Sequence, residues 1–195
     1  AGPDMPDINE QDVRRHDRLN EVTSTVGAAL LGLQLHCAQC HDHKYDPLSQ
    51  ADFYRLRAVF ESSVPDQQRD RPFNVFDGEH FANQGRMYYR GDIRSPGPLL
   101  EPGFPRIASP PSAPVSAITG SPRIALVDWL FGEDNPLTAR VIANRVWQYH
   151  FGKSLVENPS DFGVVAGGPS HPELLDWLAS GLRERQWSLK ALHRE

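Results

Sequence analysis

Residues 31–47 read LGLQLHCAQCHDHKYDP and contain both cysteines of the 195-residue chain. Cys37 and Cys40 are separated by two residues and His41 follows directly, which is the spacing of a c-type haem attachment site. Positions i and i+3 of a helical turn share one face, so both sulfurs can reach the two vinyl groups of one porphyrin edge. His41 can then ligate the iron as the proximal ligand. The spacing therefore predicts one covalent haem c at these three residues.

The same residues fit other chemistries. A Cys-x-x-Cys pair can cycle between thiols and a disulfide, although no thioredoxin-like βαβ pattern accompanies it here. It can be half of a zinc site completed by His36, His41 or His43, and the four-ligand set we consider is Cys37, Cys40, His41 and His43. The two thiols can also be inert and buried at the end of a core helix.

His43 lies only two residues after His41, too near in sequence to cross readily to the opposite face of the same haem. We expect it to contact a propionate, to support a ligand from behind, or to bind a separate metal. The alternative is a solvated polar turn that ends at Asp46-Pro47.

The sixth, distal iron ligand has two candidates. Met87 stands beside two tyrosines that could form a wall at a haem edge, and its alternative role is a strand residue in the core. His150 lies near the end of a Trp-containing helix, where a capping or core role is the alternative.

Composition excludes several classes of protein. The chain has 20 Lys+Arg and 25 Asp+Glu, a formal net charge of −5, without a basic cluster, which argues against phosphate-based nucleic-acid binding. No apolar run approaches the roughly 18–20 residues of a membrane-spanning helix. Two cysteines are too few for a disulfide-rich scaffold.

The two ends of the chain are those expected of a fragment. Its polar N-terminus lacks the basic and apolar regions of a signal peptide. A helix that Ser188 begins is cut after two turns, so we expect both native ends to be missing.

The first region reads as helical. Apolar residues at steps of three and four predict a helix over about 12–36, and they are Leu19, Val22, Val26, Leu30 and Leu33. Ser49 with Asp52 predicts a capping box for a second helix, whose apolar face would contain Phe53, Leu56 and Phe60.

The middle of the chain is rich in proline and glycine. Residues 75–81 and 87–93 could pair as a short hairpin around Asn83 and Gly85. Seven prolines between 96 and 114 cannot supply backbone N–H groups to a β-ladder, so this stretch is predicted to be an extended surface connector.

The last region is again helical. Ser121-Pro122 begins a helix that Gly132 stops, and Thr138 opens another that ends near Phe151-Gly152. Residues 170–173 read as a capping box for a third helix.

Asp161-Phe-Gly163 resembles the kinase magnesium triplet, but no phosphate loop accompanies it, and we interpret it as a loop. The fold is thus mainly α, with two partial helical domains (1–64 and 121–195) joined by a Pro/Gly-rich segment (65–120).

Several segments of the sequence resemble a known pair of domains. Residues 31–47, 52–56 and Phe60 are similar to the cytochrome-c-like domain of large planctomycete-type secreted proteins. Its usual partner domain is of unknown function. The segments that resemble this partner domain are residues 135–141, 144–147, 151–152, 161–163, 169–178 and 187–194. The resemblance implies the C-terminal part of the first domain followed by the N-terminal part of the second. It also implies a covalent haem site at Cys37, Cys40 and His41.

Together these observations predict an electron-transfer module with one haem c, an electron carrier rather than a turnover enzyme, with no catalytic residues assigned. Covalent haem attachment occurs outside the cytoplasmic membrane, so the expected location is periplasmic or secreted, with an export signal on a preceding segment. The expected partner is a redox protein or another domain of the same larger chain, and neither nucleic acid nor a membrane span is expected. The alternatives are the non-haem metal site described above and a structural or interaction module of a large envelope protein.

Overall fold

The computed structural model describes residues 11–65, 75–77, 85–109, 118 and 120–194. Within these ranges the chain is mainly α-helical, which confirms the predicted fold class. The helices are α1 (Gln11–Val26), α2 (Gln50–Ala58), α3 (Pro122–Phe131), α4 (Leu137–Phe151), α5 (Pro172–Glu184) and α6 (Leu189–Leu192). The strands are β1 (Ser63–Pro65), β2 (Val75–Asp77), β3 (Gly85–Tyr88) and β4 (Pro96–Leu100).

The first helix ends earlier than the apolar pattern predicts. After α1 the chain makes a π-helical turn over Gly27–Leu31, and Gly32 then reverses it with φ +61°. Leu35 packs back on Gly27, where a Cβ atom would lie 2.6 Å from its Cδ1. The prediction of one helix to about residue 36 is therefore wrong, because the apolar stripe continues through a change of direction that only a left-handed residue permits.

The segment after Gly32 contains the cysteine motif. Leu35–Gln39 forms a short 3₁₀ helix, and α2 then begins as the sequence predicts. The Ser49 hydroxyl accepts a hydrogen bond from the Asp52 backbone N–H at 3.1 Å, while the Ser49 N–H donates to Asp52 Oδ2 at 2.9 Å. This reciprocal capping box satisfies two N–H groups at the start of α2.

The strands pair differently from the predicted hairpin. β2 pairs antiparallel with β1, and β3 pairs antiparallel with β4, with an irregularity between Arg86 and Tyr88. The predicted pairing of 75–81 with 87–93 is therefore wrong where the structure describes it; residues 78–81 and Asn83 lie outside the described residues. Short strands with little alternation do not fix their partner, so tertiary packing decides it.

The proline-rich segment also departs from expectation. Its first residues form β4, because the prolines at 96 and 98 leave N–H groups at 97, 99 and 100. Pro102, Gly103 and Pro105 are buried, and the Gly103 N–H donates to the Arg55 carbonyl at 3.2 Å. This part is thus packed against α2 rather than laid over the surface, while residues 110–114 lie outside the described residues.

The helices of the last region begin and end close to the predicted residues. Gly132 follows α3, and Gly152 follows α4 in the left-handed conformation with φ +76°. The capping box predicted at 170–173 is wrong, because His171 is the N-cap residue of α5 and its side chain makes no capping bond. Ser188 caps α6 as predicted, accepting from the Ala191 N–H at 3.3 Å.

Two apolar cores organise the chain. The first joins the motif turn, α2 and α3, and its buried members are Leu31, Leu33, Leu35, Ala38, Leu48, Phe53, Tyr54, Leu56, Val59, Leu126 and Leu130. The second joins α4, α5 and α6, and its buried members are Ala143, Leu155, Val156, Leu175, Leu178, Leu182 and Leu192. Among the described residues, none of the helices combines the length and apolar character needed to cross a membrane.

Candidate functional site

The two cysteines of the motif lie on one tight turn. Cys37 is within the 3₁₀ helix and Cys40 is the residue that ends it. Both are free thiols and both are exposed. Side chains at i and i+3 of a 3₁₀ helix eclipse one another, so the two thiols project from the same side of the turn. The interpretation of two inert, buried thiols is therefore wrong.

His41 follows the turn on the surface. Its Nδ1 atom lies 2.7 Å from the backbone carbonyl oxygen of Asp42. A carbonyl only accepts, so Nδ1 carries the proton in this contact and the lone pair of the neutral ring is on Nε2. A backbone carbonyl on one ring nitrogen is the usual way in which a protein orients a metal-ligating histidine.

The turn is anchored to α2 through the Gln39 carbonyl and the Asp42 carboxylate. The Gln39 carbonyl accepts from Gln50 Nε2 at 2.9 Å and from the Tyr54 hydroxyl at 3.2 Å. The same Gln50 amide also donates to the Tyr88 carbonyl at 3.0 Å, and the Gln50 N–H donates to Asp42 Oδ1 at 2.7 Å. These bonds connect the motif on both sides of His41 to the first turn of α2.

A buried cationic and aromatic cluster supports that anchor. Burial raises the pKa of Tyr54 to about 12, although Arg57 opposes the shift, so the phenol keeps the proton that it donates. The Arg57 guanidinium carbon lies 5.7 Å from the Tyr54 ring centroid and 5.6 Å from that of Tyr88. Burial lowers the pKa of Arg57. The Glu61 carboxylate, whose Oε1 lies 2.6 Å from Arg57 Nη1, raises that pKa and so offsets part of the shift.

Gly91 packs directly against the turn. A Cβ atom at Gly91, where φ is +73°, would lie 2.9 Å from Cys40 Sγ, so only glycine permits this approach. The Gly91 carbonyl lies 3.2 Å from Nε2 of His16, a buried residue whose ring packs edge-on against Tyr88. Burial lowers the pKa of His16, and the nearby Arg57 adds to the shift.

His43 and Asp46 form a pair just after the motif. The Asp46 backbone N–H donates to His43 Nδ1 at 2.9 Å, and Asp46 Oδ2 lies 3.4 Å from the same nitrogen. The side chains are only 9% and 3% exposed, respectively. The prediction of a solvated polar turn is therefore wrong for these two residues, since His43 and Asp46 are packed into the fold.

The four side chains of the zinc alternative differ in their surroundings. Cys37, Cys40 and His41 are exposed, whereas His43 is nearly buried with Nδ1 already engaged. In the part of the chain that the structure describes, no three His, Cys, Asp or Glu side chains are grouped so that they could hold a metal ion. A four-ligand site on these residues would require His43 to change its contacts. A c-type haem would use only the three exposed residues of this set, Cys37, Cys40 and His41.

The two distal-ligand candidates lie in different surroundings. Met87 is on β3 and packs, partly buried, against the first core. His150 is exposed at the end of α4, with its ring centroid 4.7 Å from that of His193. Both assignments stay predictions.

The second helical region reaches both ends of the motif. The Phe162 N–H donates to the Gly32 carbonyl at 2.7 Å, before the cysteines, and the Val164 N–H donates to Asp46 Oδ1 at 2.7 Å, after them. We call residues 159–164 the clamp. Sequence reasoning missed it and placed Asp161-Phe-Gly163 in a loop without a role, because the bonded residues are more than a hundred positions apart.

Comparisons with known proteins give two family matches. Residues 4–64 match the family model PSCyt2, described as a protein of unknown function (DUF1549). Residues 122–195 match the model PSD1, described as a protein of unknown function (DUF1553). No curated protein and no solved structure matches the chain. The matches support the predicted pair of domains: one segment of the chain is similar to PSCyt2 and another is similar to PSD1, both families of unknown function.

Proposed function

We propose that the chain binds one haem covalently through Cys37 and Cys40, with His41 as the proximal iron ligand, and transfers single electrons. One observation carries the proposal. Two free, exposed thiols project from the same side of one turn, directly followed by an exposed imidazole whose Nδ1 contacts the Asp42 carbonyl. This combination provides two thioether positions and a free Nε2 on adjacent residues.

The chain's own residues perform separate tasks in this scheme. Each thiol would add to one vinyl group of the haem, with the sulfur bonded to one vinyl carbon and the thiol hydrogen transferred to the other, so that no group leaves. Both cysteines must therefore be reduced when haem is attached. The Asp42 carbonyl holds the proton on His41 Nδ1, which keeps Nε2 available. Gln50 and Tyr54 fix the Gln39 carbonyl and thereby the turn between the two sulfurs. Bound haem supplies a one-electron couple.

The proposed role is that of an electron carrier outside the cytoplasm. Because covalent haem attachment occurs outside the cytoplasmic membrane, the proposed location is the periplasm or a secreted assembly, and the proposed electron partner is a redox protein or another domain of the same larger chain. The exposure of Cys37, Cys40 and His41 supports this role, because an accessible cofactor edge is what a partner must approach.

The experiment is expression of the chain behind an export signal together with haem-maturation machinery. We expect a Soret band and a pyridine haemochrome typical of thioether-linked haem. Cys37→Ala and Cys40→Ala are each expected to lower the yield of covalent haem, and His41→Gln to alter the spectrum of the iron. His171→Gln is the matched control, since His171 is exposed at the start of α5 and its Nδ1 contacts Ser170 Oγ, and we expect normal haem yield.

Two outcomes would contradict the proposal. The first is the absence of haem from protein that is exported and folded. The second is one equivalent of zinc in the haem-free chain that is lost in Cys37→Ala, which would instead support the non-haem metal site.

A further inference from the structure

The motif loop, residues 33–47, is held at both ends by residues that lie far away in the sequence. The clamp, residues 159–164, belongs to the second helical region, in which the PSD1 match lies. We propose that the clamp positions the motif loop, so that the arrangement of Cys37, Cys40 and His41 depends on the second region. This inference does not rest on haem, because it concerns the loop itself, whatever the loop binds.

The upstream end is held by backbone and ring contacts. The Phe162 N–H donates to the Gly32 carbonyl, and the Phe162 ring lies where a Cβ atom of residue 32 would come within 2.6 Å of Cδ2. Gln34 Nε2 donates to the Ser160 carbonyl at 3.0 Å. The chain therefore enters the 3₁₀ helix from a fixed position three residues before Cys37.

A cation of α4 adds to this end. Arg145 Nη2 donates to the Ala28 carbonyl at 3.1 Å and lies 3.3 Å from Ser160 Oγ. The same guanidinium thus connects the π-helical turn of the first region with the clamp. A charged donor strengthens such bonds relative to neutral ones.

The downstream end is held by one carboxylate. Asp46 is buried, and a buried carboxylate is costly unless its oxygens accept hydrogen bonds. Oδ1 accepts a hydrogen bond from the Val164 N–H at 2.7 Å, which satisfies one of the two carboxylate oxygens. Gly163 makes room for the group, since a Cβ atom there would lie 2.6 Å from Asp46 Oδ1.

Because the clamp is bonded to both ends of the motif loop, a change in the position of one is expected to change the position of the other. Between Gln34 and Asp46 the loop is tied to α2, but the second region determines where it begins and ends. Loss of the Asp46 bond is therefore expected to loosen the clamp as well as the loop. Asp46 is thus a positioning residue for the motif.

Glycine 163 allows this coupling to be tested from the other side. Its φ is −73°, which alanine adopts without strain, so Gly163→Ala perturbs the protein mainly through the Asp46 carboxylate. In an Asp46→Ala background the new methyl group no longer meets a carboxylate. Gly163→Ala is then expected to cause almost no further change in hydrogen exchange. This non-additivity is the signature of a direct contact.

The test is amide hydrogen exchange on the full haem-free chain. Asp46→Ala is expected to raise exchange roughly tenfold both in peptides covering 35–48 and in peptides covering 158–166, as for loss of a charge-assisted hydrogen bond. Gly163→Ala is expected to raise exchange in the same two segments. Asp46→Asn keeps an acceptor oxygen and is expected to restore most of the protection. The control is Asp176→Ala, which removes an exposed ion pair with Arg140 and is expected to leave both segments unchanged.

A spectroscopic readout separates positioning from stability alone. The imidazole resonances of His41 and His43 are expected to shift in Asp46→Ala and Gly163→Ala, and to return towards those of the parent in Asp46→Asn. The inference is overturned if Gly163→Ala changes only the second region, or if Asp46→Ala changes exchange within 43–48 alone. Because no haem is used, failure here is distinct from failure of haem attachment.

Discussion

The Asp46 carboxylate accepts a hydrogen bond from the backbone N–H of Val164 at 2.7 Å, across 118 residues of the chain. Asp46 lies in the segment matched by PSCyt2, and Val164 lies in the segment matched by PSD1. The two family segments therefore meet directly beside the cysteine motif. Either segment alone lacks some of the contacts that hold the motif in place.

The reversal at Gly32 gives a first prediction. Gly32→Ala is expected to destabilise the protein by roughly 2–4 kcal/mol, because the left-handed conformation costs about 1–2 kcal/mol and the new methyl group also clashes with Phe162. Denaturant unfolding gives the free energy of unfolding. Gly152→Ala is the matched control, since Gly152 also follows a helix with positive φ but has no atom within 4 Å of its Cβ position. Equal losses in both variants would contradict the packing of Phe162 on Gly32.

The capping box of α2 gives a second prediction. Ser49→Ala removes the acceptor for the Asp52 N–H and is expected to lower the free energy of unfolding by about 1 kcal/mol. Ser49→Thr keeps a hydroxyl and is expected to lose less than half of that amount. A Ser49→Ala protein with unchanged stability in urea unfolding would show that the box contributes nothing at this helix end.

The buried His16 gives a third prediction, on pH. Burial and Arg57 lower its pKa in the folded protein, so below about pH 6.5 the unfolded chain binds a proton that the folded chain excludes. Stability is therefore expected to fall as pH drops below about 6.5, by at most about 1.4 kcal/mol per pH unit for this site. The groups that act on the ring are Arg57, the Gly91 carbonyl, Asp17 and Asp92.

His16→Gln isolates that contribution. Glutamine can still donate to the Gly91 carbonyl but does not titrate, while the other seven histidines are unchanged. The variant is expected to lose less stability than the parent between pH 7 and pH 5, measured by urea unfolding. Identical pH slopes for the two proteins would contradict the burial of a neutral His16.

Tyr54 gives a fourth prediction, at high pH. Its pKa of about 12 lies above the ordinary value of 10, so the folded protein holds a proton that the unfolded chain releases first. The stability that Tyr54 contributes is then lost as pH rises from about 10 to about 12. In an ultraviolet titration, one of the five tyrosines is expected to ionise late, and Tyr54→Phe to remove that late step. Ionisation of all five near pH 10 in folded protein would contradict the burial of the Tyr54 phenol.

Local sequence signals predicted the local parts of the structure. The Ser49 capping box and the limits of α4 depend on residues within one or two helical turns, and both are found where expected. The placement of Cys37 and Cys40 on one turn likewise follows from their spacing, whereas their exposure does not. The end of α1 was predicted wrongly because Leu33 continues an apolar stripe that Gly32 bends away from the helix axis.

The remaining parts depend on distant residues. β3 pairs with β4 and not with residues 75–77, and both strands of this pair contact α2, so the pairing depends on tertiary packing rather than on either strand alone. Asp46, Gly163 and His16 have no signal in a single sequence, since each acts on a group at least 75 residues away. Their positions follow only once the two helical regions are brought together.

Covalent haem at the cysteine turn is the central claim, and peptide mass analysis tests it most directly. The chain is exported in the presence of haem-maturation machinery and then digested. The mass of the peptide that contains Cys37 and Cys40 is measured. We predict that this peptide has the mass of one added haem, attached through both sulfurs, and that the intact protein shows a reversible reduced-minus-oxidised spectrum. Recovery of both cysteines as thiols or as a disulfide, without haem, from folded exported protein would contradict the account.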